Sequence, residues 1–220
     1  MNKLVIFDLD GTLVNTLPDI SNALNLALNN CGYNANYSSE EIKQFIGSGE
    51  YLLIVRSLVK FNQSNEEEII KVRKEYSKIY HENCNVFSKV YDGIFEQLEL
   101  LKANGFKLAV LSNKPHSETT KVVETYFPKN YFAYVRGGMD GFPIKPDVSG
   151  VNLILQELNI SEKNDVYYVG DSNVDMQTGL NASLKTIGTS YGYCSKEVLK
   201  SFNVYFVIDS PNELSKVILK

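Results

Sequence analysis

The feature that most limits what this chain can fold into is an alternation that starts at Tyr91-Asp92-Gly93 and runs to its end. A helical stretch to Asn104-Gly105 is followed by a strand at 107–111, a helix from about His116 and a strand at 132–136. A helix at 150–158, a strand at 166–169, a helix at 173–182 and a strand at 184–187 continue the series, with two further β/α pieces behind them. Strands alternating with helices of about a dozen residues predict a parallel sheet covered on both faces. The apolar run Leu4-Val5-Ile6-Phe7 reads as one more buried strand, residues 3–7.

Between that first strand and residue 88 the period changes. Leu17, Ile20, Leu24, Ala27, Leu28 and Cys31 recur at helical spacing, and Gly32 follows as a stop. Ser38 and Glu41 have the spacing of a capping box, Gly47-Ser48-Gly49 interrupts the helix it opens, and Glu50–Lys60 is helical again. Ser64 to Glu67 repeats the box, and Ile69, Val72, Tyr76, Ile79 and Tyr80 trace a long amphipathic helix. Residues 15–85 are therefore predicted helical throughout, with no strand. The expected organisation is an α/β core, residues 1–14 and 88–220, interrupted after its first strand by a helical cap at 15–87. The connections near Val14 and Ser88 would serve as paired hinges.

Composition narrows the class. A chain of 220 residues with 44% apolar and 22% charged residues suits a soluble globular protein. A net charge of -4 with no basic run argues against nucleic acid. The three cysteines, Cys31, Cys84 and Cys194, are scattered and form no CxxC pattern, which fits a reducing compartment. The apolar N-terminal run ends in charge after four residues and matches neither a signal peptide nor a membrane span. A cytoplasmic enzyme without a membrane partner is expected.

The chemistry begins where the first strand stops. Asp8 and Asp10 stand two residues apart, and Gly11 frees the backbone to leave the strand at its carboxyl end. In open α/β sheets that edge is where ligands bind. Two acids held there repel unless a cation lies between them, and Mg²⁺ is the usual divalent cation beside phosphates. Taken alone, Asp-Leu-Asp-Gly-Thr also fits a solvated turn. Three later stretches end other strands or precede helices: Ser112-Asn113-Lys114-Pro115, Lys145-Pro146 and Val169-Gly170-Asp171-Ser172-Asn173-Val174-Asp175. Each has an ordinary reading by itself, as a turn, a solvated loop and an aspartate helix cap respectively.

Together and in this order the four stretches resemble the motifs of the haloacid dehalogenase-like hydrolase superfamily, over essentially the whole chain. The resemblance implies a doubly wound, Rossmann-like α/β core with an inserted helical cap of the first insertion type. It makes Asp8 the nucleophile, Asp10 the general acid/base, Ser112 the phosphoryl-binding hydroxyl and Lys145 the compensating cation. It implies Mg²⁺ held by Asp8, the Asp10 carbonyl and Asp171, with Asp175 in an outer role, and an aspartyl-phosphate intermediate. The family often has a second proline two residues after its lysine-proline pair, whereas this chain continues Asp147-Val148-Ser149.

Within the superfamily, Asp10 argues against a haloacid dehalogenase, which lacks an acid at that place. The β-phosphoglucomutase branch carries a cap histidine where this chain reads Pro18-Asp19-Ile20-Ser21. Phosphonate hydrolysis uses a lysine on the first cap helix, and residues 15–31 contain none. Phe45-Ile46-Gly47-Ser48-Gly49 with Arg56, the Ser112-Asn113-Lys114-Pro115 stretch and Ser190-Tyr191-Gly192-Tyr193 resemble phosphoglycolate phosphatases. Gly47, Ser48, Gly49, Arg56, Ser112, Asn113 and Lys114 are thus the expected substrate-binding residues, although the glycine pair also fits a plain inter-helix turn. The expected partner is a small phosphate ester, and the expected assembly a monomer or homodimer. Pyrophosphate, sugar phosphates and nucleotides are alternative substrates, and a phosphoryl or metal sensor without catalysis is the alternative class.

Overall fold

The computed structural model describes residues 2–220. The strands β1 (Leu4–Phe7) and β2 (Val14–Asn15) are followed by four helices, α1 (Leu17–Asn30), α2 (Ser39–Lys43), α3 (Gly49–Leu58) and α4 (Glu66–Asn83). The chain returns through β3 (Lys89–Val90) and then alternates: α5 (Ile94–Ala103), β4 (Lys107–Pro115), α6 (His116–Tyr126), β5 (Tyr134–Gly138), α7 (Ser149–Glu157) and β6 (Val166–Gly170). It ends with α8 (Asn173–Asn181), β7 (Lys185–Thr189), α9 (Lys196–Lys200), β8 (Phe206–Ile208) and α10 (Leu214–Ile218).

Six strands form one parallel sheet in the order β5-β4-β1-β6-β7-β8. All four residues of β1 are buried, as a strand covered on both faces requires. Val5 and Phe7 face one apolar cluster, and Leu4 and Ile6 the other, against α7. The first cluster continues through Leu24, Ile54 and Tyr76, so the sheet and the four inserted helices share one apolar interior.

The register positions the site. Phe7 lies opposite Val110 of β4 and Val169 of β6, so the residues after these three positions emerge side by side at one edge. The Asp8 N–H donates to the Val169 carbonyl at 2.9 Å and extends the ladder to the first acid. From β1 the chain winds outward through β4 and β5, then returns on the other side of β1 as β6. The crevice between β1 and β6 is thus the point where the winding reverses, where such sheets bind ligands.

Several expectations shift. Asn15, expected in helix, pairs with Lys89 in a two-stranded antiparallel ribbon where the chain leaves and rejoins the core. The long helix is capped by Asn65, whose Oδ1 accepts from Glu68 N–H, rather than by Ser64. β4 runs on to Pro115 with an irregular register past Leu111, so Ser112, Asn113 and Lys114 lie in its extension and not in a loop behind it. β5 starts two residues later than expected. Ala133 N–H bonds the Leu108 carbonyl there, and Phe132 instead packs edge-on against Phe127. Behind β7 there is one further strand among the described residues, β8, flanked by two short helices.

Candidate active site

Asp8 at the end of β1, Asp171 after β6 and Asp175 in the first turn of α8 each bring a carboxylate oxygen within 4.8 Å of the others, all three buried. Gly170 and Gly192 leave the room. A side chain at Gly170 would collide with Asp175, and one at Gly192 with Asp171. Gly11 turns with φ +84°, a conformation suited to glycine, and a β-carbon there would also strike the Asp171 carboxylate.

The partners of these acids are unequal. Asp175 is saturated: one oxygen accepts from Ser172 N–H at 3.0 Å and from the Ser172 hydroxyl, the other from Lys145 Nζ at 2.7 Å and the Tyr168 hydroxyl at 3.2 Å. Asp171 accepts one hydroxyl, from Thr12 at 3.1 Å, and one N–H, from Tyr193 at 2.7 Å. Lys145 Nζ lies 2.9 Å from Asp8 Oδ1, but its direction is not that of a hydrogen bond, and this buried oxygen has no donor. An all-oxygen set with an unsatisfied carboxylate fits a hard divalent cation such as Mg²⁺, with Asp8 and Asp171 holding free lone pairs for it.

Charge balance points the same way. One lysine faces three buried acids. Burial, then Asp175, pushes the Asp8 carboxyl up to about 7 despite the neighbouring lysine. Burial, Asp175 and Asp8 raise Asp171 well above the carboxylate range. Burial works against the Lys145 ammonium, yet Asp175 and Asp8 outweigh it and hold its pKa above the ordinary value. Bringing a cation to the cluster relieves this excess of negative charge.

Asp10 belongs to a different arrangement. Its Oδ1 accepts from the Thr16 hydroxyl and from Lys114 Nζ, both at 2.5 Å, and its carboxylate is not one of the three clustered acids. Lys114 also meets the Tyr80 hydroxyl at 2.5 Å, and Tyr80 stacks on Tyr76 along α4. The Tyr193 hydroxyl approaches the same group, 3.2 Å from Thr16 Oγ1. The inserted helices thus supply part of the surroundings of Asp10.

A cavity of about 270 Å³ lies between the acids and the inserted helices. Asp8, Asp10, Lys145, Asp171, Ser112, Asn113 and Lys114 line it from the sheet edge, and Gly47, Ser48, Gly49 and Arg56 from the insertion. Arg56 is engaged with its own loop, donating to the Phe45 carbonyl at 2.8 Å and to Ser48 Oγ at 3.1 Å. Asn113 crosses to the insertion, its Nδ2 donating to the Gly47 carbonyl at 3.0 Å. Ser112 Oγ accepts from Lys114 N–H at 3.2 Å, which leaves the hydroxyl proton free to donate.

Every residue singled out from the sequence therefore meets at this edge or on the facing loop, apart from Asp175, which sits behind Lys145. The sequence reading missed Thr12, Thr16, Tyr80 and Tyr168 as partners. Thr12 closes the first motif and Thr16 follows it four residues on. Tyr80 and Tyr168 show only as apolar positions of a helix and a strand, and no spacing rule marks their hydroxyls.

The haloacid dehalogenase-like hydrolase family model matches residues 5–189. The phosphoglycolate phosphatase of Vibrio parahaemolyticus is 33% identical, over 98% of this chain and 96% of that protein. The phosphoglycolate phosphatase of Haemophilus influenzae is 33% identical, over 98% of each. The crystal structure of a predicted phosphoglycolate phosphatase from Haemophilus somnus superposes with a TM-score of 0.89 at 28% identity, over 98% of this chain and 97% of that one.

Proposed function

Because the chain belongs to the haloacid dehalogenase-like hydrolases and is a phosphatase of that family, we propose that it hydrolyses a small phosphate monoester, phosphoglycolate foremost, with Mg²⁺ and Asp8 as nucleophile. The observation that carries this reading is the meeting of Asp8, Asp171 and Lys145 at the β1–β6 crevice, with Asp10 held separately by Lys114. Phosphoglycolate is preferred to pyrophosphate, sugar phosphates and nucleotides because curated relatives at about a third identity over nearly their full length carry that name.

On this reading the Asp8 carboxylate attacks phosphorus in line, and the bond from phosphorus to the ester oxygen breaks. Asp10 gives that oxygen its proton. Thr16 and Lys114 both hold Oδ1, so Oδ2 is the atom left for the transfer. Water then attacks phosphorus of the aspartyl phosphate, Asp10 takes its proton, and the Asp8 carboxylate is released. Lys145 and the Ser112 hydroxyl balance and orient the phosphoryl oxygens throughout, a role supported by their position at the cavity and by what preorganised charge and donors do in phosphoryl transfer. Asp8 and Asp171 would hold Mg²⁺, with Asp175 fixing Lys145 behind them. When bound, Mg²⁺ supplies positive charge that offsets repulsion between the acids and the phosphoryl group.

The alternative of a non-catalytic sensor is disfavoured by Asp10, a further acid lining the cavity that binding of a phosphate anion alone would not call for. Phosphate release from a panel of monoesters and pyrophosphate, with and without EDTA, tests the reading. Magnesium-dependent turnover with phosphoglycolate ahead of the panel is expected. No release from any member would overturn it.

A further inference from the structure

Four side-chain cations line the cavity: Lys43, Arg56, Lys114 and Lys145. Two are paired with acids of the site, and a third is held by neutral acceptors of its own loop. Lys145 lies between Asp8 and Asp175, Lys114 joins Asp10 to Tyr80, and Arg56 braces the loop through Phe45 and Ser48. Lys43 differs. Among the described residues its ammonium meets only Glu40, at 2.7 Å, one turn back on the same short helix, and the Glu40 side chain is 80% exposed. Such a surface pair contributes little, so an anion in the cavity draws the lysine away at small cost.

Lys43 is also in the right place. It is the last residue of α2, four before Gly47, whose carbonyl Asn113 holds against the sheet edge. The remaining lining from the insertion is uncharged, as with Gln44, Ile46 and Leu53, or is the acid Glu50. Glu50 is satisfied by Arg73 at 2.7 Å and the Ser77 hydroxyl at 2.9 Å. A substrate with its phosphoryl group at Asp8 and Lys145 turns its other end toward this wall. A neutral end gains nothing from Lys43, and an anionic end finds there a lysine held only by an exposed acid.

We propose that Lys43 is the specificity-determining residue, selecting phosphate esters whose leaving group carries a carboxylate. The proposal rests on the phosphatase reading above and names the chemistry that distinguishes its substrate. Lysine suits the task because a compact charge on a flexible four-carbon stem can leave Glu40 and follow the ligand.

The test is steady-state kinetics of the full chain with Mg²⁺ on two esters of similar size, 2-phosphoglycolate and the neutral 2-hydroxyethyl phosphate. Lys43→Met is expected to lower kcat/KM for phosphoglycolate by about tenfold or more, mainly through KM, the loss typical of a charge-assisted contact. The same variant should leave 2-hydroxyethyl phosphate unchanged, and Lys43→Arg should keep most of the preference. If the wild type prefers phosphoglycolate and Lys43→Met lowers both esters equally, or neither, Lys43 is not the reader and the phosphoglycolate reading survives. If the wild type treats the two esters alike, the carboxylate reading itself fails and the role of Lys43 fails with it.

Discussion

The carboxamide of Asn113 is paired with the backbone of Lys145 in both directions. Its Oδ1 accepts from Lys145 N–H at 2.8 Å, and its Nδ2 donates to the Lys145 carbonyl at 3.0 Å. The same Nδ2 reaches the Gly47 carbonyl at 3.0 Å. One side chain on β4 therefore fixes the backbone that presents Lys145 to Asp8 and ties it to the loop facing the cavity.

Asn113→Ala should accordingly damage catalysis without touching a charge. The change leaves buried Lys145 backbone groups unpaired, at about 1–3 kcal/mol, which corresponds to roughly 5 °C in Tm for a chain of this size. A misplaced lysine should lower kcat by about tenfold or more. Calorimetry and steady-state kinetics check the two effects, and an unchanged kcat would show that Lys145 is held by other means.

Gly49 has φ +85°, and a β-carbon there would lie 3.3 Å from Ile144 Cδ1 and 3.6 Å from the Asn113 carbonyl oxygen. The backbone conformation is the larger obstacle to replacement, since a β-branched residue avoids positive φ. Gly49→Val should cut kcat/KM for phosphoglycolate by about a hundredfold, and for the compact, activated acetyl phosphate by less than about tenfold, because acetyl phosphate needs less from the facing loop. Equal wild-type efficiency on both substrates, in a variant shown folded by circular dichroism, would remove this loop from substrate selection.

Asp19, buried in the first turn of α1, accepts from Phe87 N–H at 2.9 Å and from Ser88 N–H at 2.9 Å, and also from the Ser88 hydroxyl. It staples the start of the insertion to the segment that returns to the core. Asp19→Ala should cost about 3 kcal/mol, or roughly 10 °C in Tm, since several buried donors lose a charged acceptor. A thermal melt within about 2 °C of wild type would contradict this, that being the scale of a surface change.

The Asp8 carboxyl is pushed up to about 7 by burial and by Asp175. A raised folded-state pKa favours the protonated form, so its contribution to stability is present below the unfolded value near 4 and is lost as pH rises through about 7. A metal ligand must be ionised, so Mg²⁺ competes with this proton. Apparent Mg²⁺ affinity should therefore weaken by up to about tenfold for each pH unit below 7, and Mg²⁺ should raise Tm more at pH 8 than at pH 5. A pH-independent Mg²⁺ response would contradict the assignment of Asp8 as a ligand.

Much of this was legible in the sequence, for reasons that differ by residue. Asp8, Ser112 and Asp171 sit directly behind apolar runs, and parallel register carries adjacent strand ends to one edge. Lys145 ends no strand, lying in the loop between β5 and α7, and only the family resemblance singles it out. Arg56 was legible as a cation near the loop but not as its brace, because its carbonyl and hydroxyl partners leave no trace in residue type. Asn65 and Ser64 offer the same capping signal one residue apart, and only the fold chooses between them. The β2–β3 ribbon is two residues on each side and carries no period to read.

The central claim is that Asp8 is the group that attacks phosphorus, and Asp8→Asn tests it most directly. The substitution preserves shape, removes the nucleophile's charge and leaves Asp171, Lys145 and Asp10 in place. Turnover of phosphoglycolate and of p-nitrophenyl phosphate, with Mg²⁺ and with the fold checked by circular dichroism, should fall below about a hundredth of wild type, since losing a covalent nucleophile removes several orders of magnitude. A folded Asp8→Asn protein that kept more than that on either ester would contradict the account.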